Sequence, residues 1–211
     1  AVKTKNVTKV GITTNGLALN PGLSERLLRA GLSQLKFSTD TTDPATYLKY
    51  NRVDGFAQAR ANILEFARLK REGGYTCRID FKVSLYKEDQ KLVENMKAFW
   101  SGTYDTIRFS KLHDWLGLRG HGKTGGRRSA CTYIWVNSQI LWDGQITLCC
   151  FDSMEGKIDM GNVRHRSLVE YWQNDPYLKN VRETQRRGDF SANPTCATCT
   201  IHNYVTDVED F

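Results

Sequence analysis

The residues of this chain whose type and spacing can do chemistry are its six cysteines, at 77, 131, 149, 150, 196 and 199. Cys196 and Cys199 are two residues apart, which lets both thiolates of one turn face one metal centre. Seventeen residues separate Cys131 from Cys149, and forty-six separate Cys149 from Cys196. Two distant strands of a hairpin can therefore bring the remaining pair of ligands. Four thiolates suit either tetrahedral zinc or an iron–sulfur cluster, and ligand type alone does not choose between them. The competing reading of Cys131 and Cys149 is that of buried strand cysteines, since free cysteine is among the most buried residue types. Cys77, inside an alternating strand, is read that way. Six cysteines in 211 residues are too few for a disulfide-stapled scaffold, and clustered cysteines in a reducing compartment usually serve a metal or redox chemistry. His113, His121, His165 and His202 are isolated and are read as loop or surface residues, and Trp135, Trp142 and Trp172 are read as packing within a small domain rather than as a binding platform. Gly120 to Gly126 lacks the spacing of a phosphate loop.

The elements that must position these groups fall into two textures. Val7–Thr14 is rich in β-branched residues and ends at Asn15-Gly16, so it reads as a strand. Ser24–Ala30 reads as a short helix capped by Ser24 and stopped at Gly31. Leu32–Ser38 alternates and reads as a strand. Asp43-Pro44 opens a helix as N-cap and first helical residue. Phe56–Glu72 has helical spacing and ends at Gly73-Gly74. Tyr75–Leu85 alternates with period two, Gln90–Trp100 is helical again, and Thr106–Phe109 is a short strand. Strands alternating with helices imply a parallel sheet with crossover connections.

After Gly117 the texture changes. Residues 117–130 are rich in glycine and basic residues and are read as a linker between a first domain, 1–116, and a second, 131–211. In the second, Cys131–Val136 and Ile140–Cys150 are read as strands, with Asp143-Gly144 as a hairpin turn. Ser167-Leu-Val-Glu170 is a capping box opening a helix through Trp172. Pro176 opens another helix, closed by Gly188.

Composition sets the outer bounds. The chain is 40% hydrophobic and 25% charged, an ordinary globular balance. No run of apolar residues is long enough to span a membrane, and the first residues are not expected to be a secretory signal. A cytoplasmic setting is expected. The net charge of +7 has two foci, Arg119–Arg128 and Arg182–Arg187. These could face an anionic partner, but no aromatic residues interleave with them, so they are read as a solvated loop and a solvated helix face. Nucleic acid and membrane are not expected partners.

At the cysteines the sequence resembles a family. Cys131-Thr-Tyr-Ile-Trp-Val136, Trp142-Asp-Gly-Gln-Ile-Thr-Leu-Cys-Cys-Phe-Asp152, Gly161-Asn-Val163, Ser167-Leu-Val-Glu-Tyr-Trp172, Arg182 and Cys196-x2-Cys199 together resemble the SPASM/twitch auxiliary-cluster domain of radical S-adenosylmethionine enzymes. The resemblance implies that Cys131, Cys149, Cys196 and Cys199 hold one auxiliary 4Fe–4S cluster, with zinc as the alternative metal. The Gly144-x4-Cys149 step points to Cys149 rather than Cys150. Upstream, Val10-Gly-Ile-Thr-Thr-Asn-Gly16, Leu35-Lys-Phe-Ser-Thr-Asp40 and Tyr50-Asn-Arg-Val-Asp-Gly-Phe56 resemble the third and fourth strands of the radical S-adenosylmethionine barrel and the segment that follows. By that resemblance Ser38 and Arg52 contact the aminocarboxylate or ribose of S-adenosylmethionine, and Thr14 and Asn15 lie at the rim of the strands.

The implied fold is α/β, a half barrel of parallel strands followed by a small α+β iron–sulfur domain. The implied activity is that of an oxidoreductase or maturase that generates a 5′-deoxyadenosyl radical to modify a peptide or small molecule, supplied with electrons by a donor such as ferredoxin or flavodoxin. The sequence departs from the family in lacking the C-x3-C-x2-C triplet that holds the catalytic 4Fe–4S cluster, and the strand that binds the methionine amine. The chain is therefore expected to be the C-terminal part of a longer enzyme, inactive by itself, with an exposed strand edge over residues 7–14. The alternative is a catalytically inactive metal-knuckle module that recruits a peptide or anionic partner. A zinc-stabilised nucleic-acid-binding domain is a third reading, against which the family pattern argues.

Overall fold

A computed structural model describes residues 7–85, 89–111, 128–152 and 160–199. It divides the chain into two compact units at 112/113. Most of the expected linker, with His113, His121 and the glycine-rich loop, lies outside the described residues, as does His202.

The first unit is a parallel sheet of β1 (Gly11–Thr14), β2 (Gln34–Ser38), β3 (Arg78–Leu85) and β4 (Thr106–Lys111), in spatial order 1-2-3-4. Four helices connect them: α1 (Pro21–Arg29), α2 (Pro44–Asn51), α3 (Phe56–Glu72) and α4 (Gln90–Phe99). The register sets Ile12 beside Leu35, Leu35 beside Ile79, and Phe81 beside Ile107. One face is thus a continuous apolar surface, and Leu35, Phe37, Ile79, Phe81 and Val83 are buried there with Ile63 and Phe66 of α3 and Met96 of α4. The Phe81 ring lies 5.5 Å from Phe37 and 4.9 Å from Trp100, centroid to centroid. Burying one such side chain contributes about 1.5–3 kcal/mol.

The alternate residues give the other face a polar character: Lys36, Ser38, Asp80, Lys82 and Arg108 share it. Ile12 on the outer strand β1 is 36% exposed. β1 stands at one end of the sheet order, with β2 as its one strand neighbour among the described residues.

Several boundaries move for local reasons. β1 begins at Gly11, four residues later than expected, because the first pairing to β2 is Gly11 with Gln34. The α1 helix begins at Pro21 rather than Ser24. Asn20 is its N-cap, and its Oδ1 accepts from the Leu23 N–H at 2.9 Å. Asn followed by Pro combines a preferred cap with a preformed first helical residue, so Ser24 falls inside the helix and is buried. The caps at Asp43 and the extent of α3 agree with the sequence reading. Cys77 is buried just before β3, and burial pushes its thiol up to about 11, so it is inert packing.

The second unit is built from short pieces. An antiparallel pair, β5 (Gln139–Ile140) and β6 (Ile146–Thr147), is closed by the turn at Asp143-Gly144. The helices are α5 (Tyr133–Val136), α6 (Leu168–Asn174), α7 (Pro176–Arg186) and α8 (Pro194–Thr198). Ile134, Ile146, Leu148, Tyr171, Leu178 and Val181 form its core. Residues 131–136, expected as a strand, contain one helical turn instead. Ser167 precedes α6, but its side chain makes no capping hydrogen bond, so the expected capping box is not formed. No helix among the described residues is long and apolar enough to cross a membrane.

Candidate metal centre

Three elements deliver thiols to one place. Cys131 stands just before α5, Cys149 two residues after β6, and Cys196 and Cys199 lie in and at the end of α8. Each is held by its own backbone logic.

The hairpin carrying Cys149 is set by Gly144. Its φ is +90°, and a Cβ there would sit 2.6 Å from Asn162 Oδ1. Glycine is required by both conformation and space. Asn162 donates from Nδ2 to the Asp143 carbonyl at 3.1 Å, and the Ile146 N–H donates to the Gly161 carbonyl at 2.8 Å. The Gly161-Asn-Val163 segment thus flanks the hairpin as an additional edge, which explains two separated pieces of the sequence pattern with one contact. Beyond Cys149, the buried carboxylate of Asp152 accepts from the Leu148 N–H at 3.3 Å and from the Thr195 hydroxyl at 3.0 Å. It ties the end of the hairpin to α8.

The α8 helix is capped by Asn193, fully buried, whose Oδ1 accepts from the Cys196 N–H at 2.9 Å. Its Nδ2 donates to Tyr177 Oη at 3.0 Å. Arg128 clamps the other side: Nη2 donates to the Cys196 carbonyl at 2.6 Å and Nη1 to the Ala197 carbonyl at 3.2 Å. Its guanidinium carbon lies 3.8 Å from the Phe190 ring centroid. Cys131 is anchored by its own N–H, which donates to Gln185 Oε1 of α7 at 3.0 Å.

The result is a cavity of about 60 Å³ lined by Cys131, Cys149, Cys196 and Cys199, together with Arg128 and Gln185. Cys150 is exposed. All six cysteines are among the described residues and none is in a disulfide. Burial pushes the Cys149 thiol up to about 12, against the Asp152 and Phe151 N–H groups that pull it down. Burial also pushes Cys196 up to about 12, reinforced by Cys149, Cys199 and Cys131. Such thiols keep their protons until a metal displaces them.

The donor set fits a thiophilic centre, because the described lining holds four thiols and neither carboxylate nor imidazole. Four thiolates are a donor set that both zinc and an iron–sulfur cluster accept.

Two expectations about side chains are corrected. Arg128 and Arg182 are structural cations, not members of solvated surfaces. Arg182 donates from Nε to the Ile134 carbonyl and from Nη1 to the Trp172 carbonyl, both at 3.0 Å, and its guanidinium faces the Trp135 and Trp172 rings at 5.2 and 4.2 Å. Trp135 and Trp172 do pack in the domain, but Trp142, expected to pack with them, is 96% exposed at the hairpin tip. Gln185 and Asn193 were not singled out by the sequence reading, and Arg128 and Asp152 were named only as the ends of a basic run and of a motif. Asn193 does carry a signal there, as an Asn-Pro helix cap, and Gln185 another, as a polar residue on the stripe of α7 that also holds Leu178 and Val181.

The residues expected to meet S-adenosylmethionine lie in the first unit. Thr14 ends β1 and Asn15 follows it, while Ser38 ends β2. Ligands of open parallel sheets bind outside these carboxyl ends. The loop after β1 is held by buried Asn62, whose Nδ2 donates to the Gly16 carbonyl at 2.9 Å and the Leu17 carbonyl at 3.0 Å. Arg52 caps α2 with φ 56°, among the described residues the only non-glycine in the left-handed region.

Comparison with known proteins agrees with the second unit. Residues 131–200 match the SPASM family, an iron–sulfur cluster-binding domain. No curated protein matches the chain. Among solved structures, the chain is similar to SuiB of Streptococcus suis, crystallised with S-adenosylmethionine bound, at 15% identity and a TM-score of 0.49. The match covers 95% of this chain and 56% of that one, so the chain spans little more than half of SuiB's length.

Proposed function

We propose that the second unit holds one auxiliary 4Fe–4S cluster on Cys131, Cys149, Cys196 and Cys199, and that the chain is part of a radical S-adenosylmethionine enzyme acting on a peptide or small molecule. The observation that carries this reading is the convergence of four thiols from three separate elements on one cavity, inside the segment that matches an iron–sulfur domain. When bound, such a cluster supplies one-electron redox chemistry next to the substrate. The chain's own residues orient it: Gly144 and Asp152 place Cys149, Asn193 and Arg128 place the Cys196–Cys199 turn, and Gln185 places Cys131.

In the first unit, Thr14, Asn15, Ser38 and Arg52 are proposed to meet S-adenosylmethionine. Their support is the position of three of them at adjacent strand ends, and the left-handed backbone of Arg52, a conformation that costs a non-glycine residue about 1 kcal/mol or more. The catalytic cluster and its C-x3-C-x2-C triplet would be supplied by the full-length enzyme, and electrons by a donor of the ferredoxin or flavodoxin type. A second reading, a metal-knuckle module that recruits a partner without chemistry, draws on the exposed Trp142 at the hairpin tip.

Anaerobic reconstitution of single-cysteine variants tests the ligand set. Cys149→Ala is expected to lose the cluster and Cys150→Ala to retain most of its iron and sulfide. Unchanged iron and sulfide in Cys149→Ala would contradict the assignment.

A further inference from the structure

Gln185 does more than hold Cys131. The residue is 2% exposed, on the inner face of α7, and lines the four-thiol cavity. Its amide orientation follows from chemistry: the Cys131 N–H can only donate, so the group it meets at 3.0 Å is the amide oxygen. The Nε2 group is thereby fixed on the opposite side. It is buried, and no hydrogen-bond acceptor among the described residues meets it. A buried amide donor without an acceptor is costly, and the cavity that Gln185 lines is one in which four cysteines would hold the sulfurs of a bound centre.

We propose that the Gln185 side-chain amide donates a hydrogen bond to a sulfur of the bound iron–sulfur centre, and so raises its reduction potential. The inference rests on the cluster reading above. The direction follows from charge. The centre gains one electron on reduction, its sulfurs become more negative, and a fixed donor stabilises the reduced form more than the oxidised form. Gln185 would then act twice through one planar group, its oxygen setting the Cys131 backbone and its nitrogen setting the potential.

The test uses the full chain, loaded anaerobically with iron and sulfide and reduced. Protein labelled with 15N only at glutamine side-chain amides is expected to show a 15N coupling to the cluster spin by pulsed EPR. Gln185→Met is expected to lose that coupling and, in chains that carry a full complement of iron and sulfide, to shift the potential downward. An absent coupling in the wild-type chain, or an unchanged potential in a fully loaded Gln185→Met, would overturn the proposal. Should Gln185→Met fail to load, the wild-type coupling decides alone. A wild-type chain that takes up no iron overturns the cluster reading itself, and this inference with it.

Discussion

At the scale of single residues, the site depends on groups that are not ligands. Gly144 is the clearest case. An alanine there meets both a left-handed backbone and Asn162 Oδ1 at 2.6 Å, so Gly144→Ala is expected to destabilise the second unit by about 1–3 kcal/mol. Chemical denaturation followed by tryptophan fluorescence should read this, and an unchanged midpoint would contradict the packing account. The four cysteines proposed as ligands were legible as a group because thiols are rare and their spacing is informative. Gln185 was not, because a glutamine on a helix is ordinary until its neighbours on the same stripe, Leu178 and Val181, are known to be buried. Arg128 was hidden for the opposite reason. It ends a run of glycine and basic residues, and charge density alone cannot distinguish a solvated cation from one stacked on Phe190 with its nitrogens on the Cys196 and Ala197 carbonyls.

At the scale of elements, legibility followed length. The α3 helix and β3 strand carry enough periods to declare themselves, and the alternation of strands and helices implied the parallel sheet observed. Residues 131–136 misled because Thr-Tyr-Ile-Trp-Val has strong strand propensity, yet a four-residue apolar run cannot be assigned by periodicity. Tertiary contacts chose: Arg182 on α7 takes the Ile134 carbonyl and stacks against Trp135, which stabilises a helical turn. The sheet makes a prediction of its own through Asp105, just before β4. Burial raises its carboxyl pKa, but the Lys70 ammonium and the Ile79 N–H outweigh this and hold it below the usual carboxylate range. A depressed folded-state pKa contributes stability that is present above the unfolded value and lost as pH falls through the folded one. Asp105→Asn should therefore lower Tm at neutral pH, and the gap to wild type should close below about pH 4. A gap that persists undiminished into acid would contradict the ionic account.

At the scale of the whole molecule, the two units divide the chemistry. The first offers strand ends and a left-handed arginine to a proposed cofactor, and the second offers a cavity of thiols. The sequence contains no C-x3-C-x2-C triplet, so this chain alone is expected to release no 5′-deoxyadenosine from S-adenosylmethionine under strong reduction. Release by the purified chain would demand another cluster site. The central claim is more direct: four separated thiols hold one polynuclear iron–sulfur centre. Iron and acid-labile sulfide per chain, counted after anaerobic reconstitution and read together with Mössbauer spectra, measure it. The account predicts about four of each per chain and the spectrum of a single 4Fe–4S cluster. One tightly held zinc per chain with no labile sulfide would contradict it.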